Sequence, residues 1–195
     1  MDDLYEFLIE LDKLKAVYRR TYLFDKSRHE NSAEHSWHLA IAVLSVQQKF
    51  ALKIDTLHAM KLALVHDICE IDAGDLSVFD TNRQNKYADE KKCIERLAAL
   101  PESFAKELIP LWNEYEDQMT IESRWVKVLD RLLPFFSNLR TEGATWKDMD
   151  VSAEQVRDVM AFIAKTSPEI HVWMQTKIDD AVNAGWLYEK NQITE

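Results

Sequence analysis

Apolar residues recur at helical spacing along most of this chain. A first series predicts a helix that runs to about residue 18 and carries Leu4, Phe7, Leu8, Leu11, Leu14 and Tyr18. A polar segment from Thr21 to Asn31 follows it. Asn31 can cap a second helix, because Glu34 stands three residues later, as in a capping box. Continued apolar spacing predicts a third helix over about residues 55–71.

Helical patterns continue through the second half of the chain. They cover residues 87–99, 102–116 and 121–140. Ser152 with Gln155 forms another potential capping box, which opens a helix to about residue 166. Pro168 suits the first turn of a last helix, and Gly185 suits its end. The pattern as a whole predicts an all-α fold.

Composition supports this fold class. The 195 residues include only three glycines and four prolines, which leaves little room for the turns of an all-β fold or for glycine-rich nucleotide-binding loops. With 47% hydrophobic residues, the chain can form one globular domain with a sizeable core. The net charge of −10 argues against binding to nucleic acid polymers, which requires clustered lysine and arginine. It does not argue against a small anionic ligand, for which one or two arginines suffice.

The cysteines and the chain start bear on cellular location. Cys69 and Cys93 are far apart and match no disulfide or zinc pattern. No signal peptide and no apolar run of membrane-spanning length are evident, so we expect a cytoplasmic protein without membrane association. The acidic run from Asn113 to Asp117 is expected to be a solvated face of its helix.

The segment from Met60 to Asp72 is apolar around nearly its whole circumference, yet it contains His66, Asp67 and Glu70. A helix of this kind is normally buried, and buried imidazoles and carboxylates are costly unless they are paired, hydrogen-bonded or bound to a metal. Glu70 follows His66 by four residues and therefore shares its helical face. The segment predicts a functional site rather than packing alone.

Two further polar residues stand in comparable settings. His35 lies near the start of the second helix, and Asp130 lies in the mostly apolar helix predicted over 121–140. With His66 and Asp67 they form a set of two imidazoles and two carboxylates, whose ligand atoms suit Mn, Fe, Co, Ni or Zn. Taken singly, each residue has an alternative role as hydrogen-bonded structure, so the metal site is predicted from the set of four.

This ordered set resembles the HD superfamily of metal-dependent phosphohydrolases. The strings RHENSAEHSWH (residues 28–38) and HDICEIDAGD (residues 66–75) are similar to the branch that contains bacterial 5'-deoxynucleotidases and their eukaryotic HD-domain relatives. The similarity covers about residues 14–140 and extends more loosely to the C-terminus. It implies a homodimer of compact HD-domain helical bundles. It also implies a single domain over residues 1–195, with the metal-site core at about 14–140 and C-terminal helices at about 152–185.

The resemblance also implies a set of site residues. One divalent ion (Mn, Co, Fe, Ni, Zn or Mg) is held in that branch by residues that match His35, His66, Asp67 and Asp130. An acidic pair beside the metal matches Glu70 and Asp75. Dinuclear HD enzymes use additional histidines between the HD pair and the final aspartate. This chain has none there, so we expect a single ion.

Substrate-binding residues follow from the same resemblance. An arginine that contacts substrate phosphate matches Arg19, with Arg20 as the alternative. Arg28 is a further candidate for phosphate binding. His38 either faces the site or donates to a backbone carbonyl. The bacterial deoxynucleotidases carry a tryptophan directly after the phosphate-binding arginine. Arg20 stands at that position here, so this departure leaves 2'-deoxy selectivity open.

The activity implied by the resemblance is hydrolysis of nucleoside 5'-monophosphates to nucleoside and phosphate. Glu70 could orient or deprotonate a water, and Asp75 could assist it or protonate the departing 5'-oxygen. The two roles stay unassigned, because coupled carboxylates near a metal share their titration. Two alternatives are open: a hydrolase of another small phosphate, such as a dNTP or a non-nucleotide metabolite, and a noncatalytic module that senses a nucleotide.

Overall fold

The computed structural model describes residues 1–80 and 84–190. Helices dominate these residues, and their strands form one small two-stranded sheet of β1, Tyr18–Tyr22, and β2, His29–Asn31. The all-α prediction is therefore confirmed, with the sheet as a local addition. None of the helices in the described ranges combines the length and the apolar character that crossing a membrane requires.

The described residues contain helices of 4 to 20 residues. Those up to residue 117 are α1 (Asp2–Asp12), α2 (Ser32–Lys49), α3 (Thr56–Val65), α4 (Glu70–Ala73), α5 (Lys86–Ala98) and α6 (Leu108–Asp117). Those that follow are α7 (Ile121–Arg140), α8 (Ala144–Asp148), α9 (Ala153–Met160), α10 (Ile163–Thr166) and α11 (Pro168–Asn183). The predicted helix over 121–140 is present as α7, and the one over 87–99 as α5.

Both predicted capping boxes are present. The Asn31 side chain accepts a hydrogen bond from the Glu34 amide at 2.9 Å, and the Glu34 carboxylate accepts one from the Asn31 amide at 3.1 Å. Ser152 and Gln155 make the same reciprocal pair at the start of α9. These helix starts are predictable because each cap depends on two residues three positions apart.

The prediction that the first helix runs to about residue 18 is wrong. α1 ends at Asp12, a 3-10 helix covers Lys13–Ala16, and Tyr18 lies in β1. Of the six residues in the apolar series, Phe7 and Leu14 are buried, so the series does not mark a continuous helical face. The aromatic and β-branched side chains of β1 favour a strand once a partner strand is available.

The predicted helix over residues 55–71 is interrupted. α3 ends at Val65, and residues 66–69 form tight turns before the short helix α4. The Ile68 amide donates to the Val65 carbonyl at 3.1 Å, and the Glu70 amide donates to the Asp67 carbonyl at 3.0 Å. Because each bond spans three residues, the backbone is wound like a 3-10 helix. This winding aligns the side chains of Asp67 and Glu70 on one face of the segment. Hydrophobic periodicity could not reveal the break, because the segment is apolar on all sides.

Two more predicted helices differ in their details. The one over 102–116 starts as a 3-10 helix, Phe104–Glu107, before α6 begins. The one that ends near residue 166 divides into α9 and α10. Pro168 occupies the first turn of α11, as predicted. The apolar pattern thus locates helical segments correctly and misses changes of winding within them.

The chain divides into two compact units, each with its own core. Unit 1 comprises Met1–Arg19, Glu30–Leu76 and Asp80–Asp130. Its most buried side chains include Leu62, Ile94, Leu97, Leu108 and Trp112. Unit 2 comprises Arg20–His29, Ser77–Phe79 and Arg131–Glu195. Its most buried side chains include Phe135, Val156, Ile163, Met174 and Ile178. The single domain over residues 1–195 stays a prediction.

Two glycines of unit 2 share a backbone conformation and differ in the space around them. Gly143, between α7 and α8, has a left-handed φ of +74°, and a Cβ there would lie 2.5 Å from the carbonyl oxygen of Trp186. Gly185, which ends α11 as predicted, has a φ of +71°, and a Cβ there would meet no described atom within 4 Å. Both positions therefore favour glycine for its left-handed φ, and Gly143 alone of the two also lacks space for a Cβ.

We expect Gly143→Ala to lower the free energy of unfolding by about 1–3 kcal/mol more than Gly185→Ala, because it forces the chain against the Trp186 carbonyl. Both substitutions carry the cost of a left-handed alanine, about 1–2 kcal/mol, so their difference isolates the close contact. Urea denaturation of the full chain measures both. Equal losses would show that the backbone at Trp186 yields freely.

Candidate active site

Buried side chains from α2, the end of α3 and α7 meet in unit 1. Asp130 Oδ1 lies 3.0 Å from His35 Nε2 and 3.6 Å from His66 Nε2. The candidate ligand atoms of these three residues all lie within 4.8 Å of one another. The fourth predicted residue, Asp67, places its Oδ2 3.0 Å from His66 Nε2. The structure therefore brings His35, His66 and Asp130 within reach of one ion and places Asp67 beside His66, while the role of all four as ligands stays a prediction.

The ring of His66 is oriented by the main chain. Its Nδ1 lies 2.9 Å from the carbonyl oxygen of Ala63, and because a carbonyl only accepts, Nδ1 carries the proton of this hydrogen bond. In the neutral ring the lone pair is then on Nε2. That nitrogen is buried and makes no well-aligned hydrogen bond to any described residue. This orphaned nitrogen faces Asp67 Oδ2 at 3.0 Å and Asp130 Oδ1 at 3.6 Å, so a proton or a cation between it and the carboxylates would satisfy it.

The cluster formed by His35, His66 and Asp130, with Asp67 beside it, fits a divalent cation. Two ligand atoms about 2.1 Å from a metal and at right angles to each other are about 3 Å apart. The distances of Asp130 Oδ1 from the two imidazole nitrogens, 3.0 and 3.6 Å, are close to that value. Imidazole and carboxylate donors also suit Mn, Fe, Co, Ni or Zn. The orphaned nitrogen of His66 is consistent with the same occupant.

Electrostatics in the cluster favours added positive charge. Burial works against a charged His66, but Asp67 and Asp130 outweigh it and raise the pKa of the imidazole to about 10. Burial works against a charged Asp67, but His66 and Arg19 hold its pKa well below the usual range. Burial and the charge of Asp67 raise the pKa of Glu70 to about 8. A proton or a cation is therefore favoured beside these carboxylates.

Arg19 places a permanent positive charge in the cluster. Its guanidinium nitrogens lie 2.6, 3.4, 3.6 and 4.0 Å from carboxylate oxygens of Asp67, Glu30, Asp75 and Glu70, respectively. Adjacent residues of a strand face opposite sides, so only one of Arg19 and Arg20 can point into the cluster. The structure selects Arg19, and Arg20 belongs to unit 2.

The predicted acidic pair, Glu70 and Asp75, reaches the same cluster. Glu70 is 1% exposed, and its Oε2 accepts a hydrogen bond from Ser32 Oγ at 2.6 Å. Ser32 is the first residue of α2, so the start of that helix fixes the carboxylate. Asp75 follows Gly74, whose φ of +73° ends α4. Both carboxylates therefore lie beside the Arg19 guanidinium, and both belong to the segment that also carries His66 and Asp67.

The other two predicted substrate-binding residues have different settings. His38 lies three residues after His35 on α2 and is half-buried, and burial lowers the pKa of its imidazole. Arg28 lies in unit 2, where its Nη1 donates to the carbonyl oxygen of His29 at 2.9 Å. Substrate binding by His38 and by Arg28 stays a prediction.

Glu30 is a member of the cluster that the sequence analysis did not identify. It lies in β2, with Oε1 3.4 Å from Arg19 Nε and 3.6 Å from His35 Nδ1. Its role depends on the pairing of β1 with β2, which brings Arg19 within its reach. The local pattern of apolar and polar residues does not predict that pairing. In the sequence, Glu30 therefore stands out only as a member of the string over residues 28–38 that contains His35.

Tyr115 is the second member of the cluster that the sequence analysis did not identify. Its hydroxyl donates to Asp130 Oδ2 at 2.6 Å, and its ring meets the His66 ring edge-on with centroids 4.9 Å apart. The expectation that residues 113–117 form a solvated face is therefore wrong for Tyr115, which is buried. A signal was available in the helical spacing of the buried residues Leu108, Leu111, Trp112 and Tyr115.

We expect Arg19→Met to destabilise the metal-free protein by about 3–5 kcal/mol, because it leaves buried carboxylates without their cation. Arg96→Met is the matched control. Arg96 also pairs with two carboxylates, Asp72 and Glu10, but at the surface, so its loss should cost about 0–1 kcal/mol. Urea unfolding at neutral pH with a chelator measures both. A loss for Arg19→Met no larger than that for Arg96→Met would contradict this electrostatic account.

Comparison with known proteins places this chain in a family. The HD domain model matches residues 11–171. The 5'-deoxynucleotidase HDDC2 of Danio rerio is 30% identical over 135 residues, which are 68% of this chain and 66% of the relative. The Bos taurus protein of the same name is 33% identical over 132 residues, 66% of this chain and 63% of the relative. The chain thus spans slightly less than two thirds of the length of these curated relatives.

A solved structure is similar over nearly the whole chain. The crystal structure of a predicted metal-dependent phosphohydrolase from Magnetospirillum magnetotacticum MS-1 is 37% identical, with a TM-score of 0.88. The match covers 95% of this chain and 94% of that one. The matched range of the HD domain model includes every residue of the cluster around His66. This chain belongs to the HD domain family.

Proposed function

We propose that this protein is a metal-dependent phosphohydrolase that converts nucleoside 5'-monophosphates, 2'-deoxynucleotides among them, to nucleoside and orthophosphate. The observation that carries the proposal is the convergence of His35, His66 and Asp130 around one potential cation position, with Arg19 alongside. The solved relative, described as a metal-dependent phosphohydrolase, supports the reaction class. The curated relatives, named 5'-deoxynucleotidases, support the substrate class.

The proposed cofactor is one divalent ion from the group Mn, Co, Fe, Ni, Zn and Mg. It would be held by His35, His66, Asp67 and Asp130. The chain has no histidine between Asp67 and Asp130, which supports one ion rather than two. When bound, such an ion neutralises charge on a phosphoryl group and lowers the pKa of water.

Arg19 would orient the phosphoryl group. A guanidinium presents its N–H donors in a planar fork that matches phosphate oxygens. Its Nη1 lies 2.6 Å from Asp67, a proposed ligand, so a phosphate oxygen bound by Arg19 would be beside the ion. The side chain is only 10% exposed, and low exposure to water strengthens a charged contact.

Glu70 and Asp75 would handle the protons of hydrolysis. The oxygen of water bonds to phosphorus while the bond from phosphorus to the 5'-oxygen breaks. One carboxylate accepts the proton of the water, and one carboxyl group protonates the leaving oxygen. Burial and the charge of Asp67 raise the pKa of Glu70 toward neutral pH, which supports a role in proton transfer. The proposal assigns these roles to the pair jointly, because carboxylates this close share their titration.

The remaining expectations complete the proposal. His38 and Arg28 would contact the substrate, and the protein would be a cytoplasmic homodimer with neither nucleic acid polymers nor membranes as partners. The position of His38 on α2, one turn after His35, supports its role. The net charge of −10 supports the exclusion of polymers. Arg28, the dimer and the cytoplasmic location rest on the sequence resemblance and composition.

We expect Mn²⁺ or Co²⁺ to raise the unfolding temperature of protein stripped of metal. An ion that binds the folded state at 100 times its Kd adds about 2.7 kcal/mol of stability. His66→Ala should abolish the rise. His58→Ala should keep it, because His58 lies on α3 as well but pairs with Glu114. Scanning calorimetry measures these shifts, and a full rise in His66→Ala would contradict the proposed ligand set.

We expect the purified protein with Mn²⁺ or Co²⁺ to release phosphate from at least one nucleoside 5'-monophosphate. Glu70→Gln should lower kcat by about 100-fold or more, the usual contribution of a group that transfers protons. Asp72→Asn is the matched control. Asp72 lies on the same short helix, pairs with Arg96 at the surface, and should keep the wild-type rate. Phosphate release is measured for each nucleotide in its ribo and 2'-deoxy forms.

Product analysis separates the alternatives to this activity. Orthophosphate from a monophosphate supports the proposal, and triphosphate from a dNTP indicates a triphosphate hydrolase. Nucleotide binding with intact metal and no turnover indicates a sensing module. Absence of turnover across a broad phosphomonoester panel would overturn the proposed activity.

A further inference from the structure

We propose that Tyr115 is a positioning residue for the Asp130 carboxylate, and that Lys127 fixes the Tyr115 hydroxyl in turn. The inference rests on the proposed metal-dependent function, because it concerns the orientation of one proposed ligand. It adds two residues that no motif of the chain assigns to the site. All three residues lie in unit 1, on α6 and on the first half of α7.

The two carboxylate oxygens of Asp130 have different partners. Oδ1 faces the imidazoles, 3.0 Å from His35 Nε2 and 3.6 Å from His66 Nε2. Oδ2 accepts the Tyr115 hydroxyl at 2.6 Å, a length typical of a charge-assisted hydrogen bond. Rotation of an aspartate about χ2 is broad, so the position of its backbone alone does not fix the plane of the carboxylate. The hydroxyl of Tyr115 fixes that plane, because rotation away from it would break a buried hydrogen bond.

Lys127 determines the direction of this hydrogen bond. Its Nζ lies 3.1 Å from the Tyr115 hydroxyl oxygen and 4.2 Å from the centre of the same ring. An ammonium group only donates, so the hydroxyl accepts from Lys127 and is left to donate its single proton to Asp130. Glu116 Oε1, 3.9 Å from Nζ, lies close to the same ammonium. The order of donation is therefore Lys127 to Tyr115 to Asp130.

Tyr115 touches the cluster through two separable groups. Its hydroxyl binds Asp130, and its ring packs edge-on against the ring of His66 at 4.9 Å between centroids. Substitution by phenylalanine keeps the ring contact and removes the hydroxyl. The two contributions can therefore be tested apart, which a substitution by alanine would not allow.

The experiment measures the affinity of stripped protein for Co²⁺ alone by titration calorimetry, and records the visible spectrum of bound Co²⁺. Tyr115→Phe should weaken Co²⁺ binding by about 10–100-fold and change the spectrum, as expected when a partner of a metal ligand is lost. Lys127→Met should weaken binding less. The double variant should bind as Tyr115→Phe does, because Lys127 acts through the hydroxyl. Tyr5→Phe, an exposed tyrosine on α1, should match wild type.

The outcomes separate this inference from the function on which it rests. Wild-type protein that binds no Co²⁺ overturns both. Wild-type binding with unchanged affinity and spectrum in Tyr115→Phe overturns the positioning role alone, and additive losses in the double variant overturn the order of donation. Should Tyr115→Phe fail to fold, Lys127→Met decides: weaker Co²⁺ binding supports the role, and unchanged binding overturns it.

Discussion

The burial of like charges is the constraint on which the site depends. Four carboxylates lie within 4.0 Å of the Arg19 guanidinium, and Asp130 adds a fifth beside His35. Buried carboxylates cost free energy unless positive charge offsets them. The start of β1 supplies the guanidinium, and α2 and the end of α3 supply the imidazoles. These charged and polar groups thus offset one another within surroundings that are otherwise the apolar core of unit 1.

The change of winding after α3 is the backbone feature that assembles the acidic edge. In an α-helix, residues three apart are rotated by about 60° from each other, whereas in a 3-10 helix they align. The tight turns at residues 66–69 therefore bring Asp67 and Glu70 onto one edge, where both face Arg19. An unbroken α-helix would keep the two residues as neighbours on its surface but about 60° apart rather than aligned. The winding of this short segment therefore determines how its two carboxylates face the guanidinium.

Much of the site was predictable, because polar residues in apolar surroundings are a signal that needs no tertiary information. His66 and Asp130 are examples, and the capping box at Asn31 is predictable for a related reason, since its partner is three residues away. Glu30 and Tyr115 were not found, because their partners come from distant parts of the chain. The strand at Tyr18–Tyr22 was not predicted for the same reason, since its pairing with β2 is a tertiary feature.

The hydrogen bond from His66 to the carbonyl of Ala63 has a consequence for mutational tolerance. Carbonyl groups in the last turn of a helix lack their usual amide partners, and here one of them accepts the imidazole proton. Every amino acid carries that carbonyl, so a change of side-chain chemistry at residue 63 leaves the acceptor in place. The presence of the acceptor therefore does not depend on the identity of residue 63, although the buried position of Ala63 limits the size of its side chain. An insertion or deletion near the end of α3 would displace the acceptor itself.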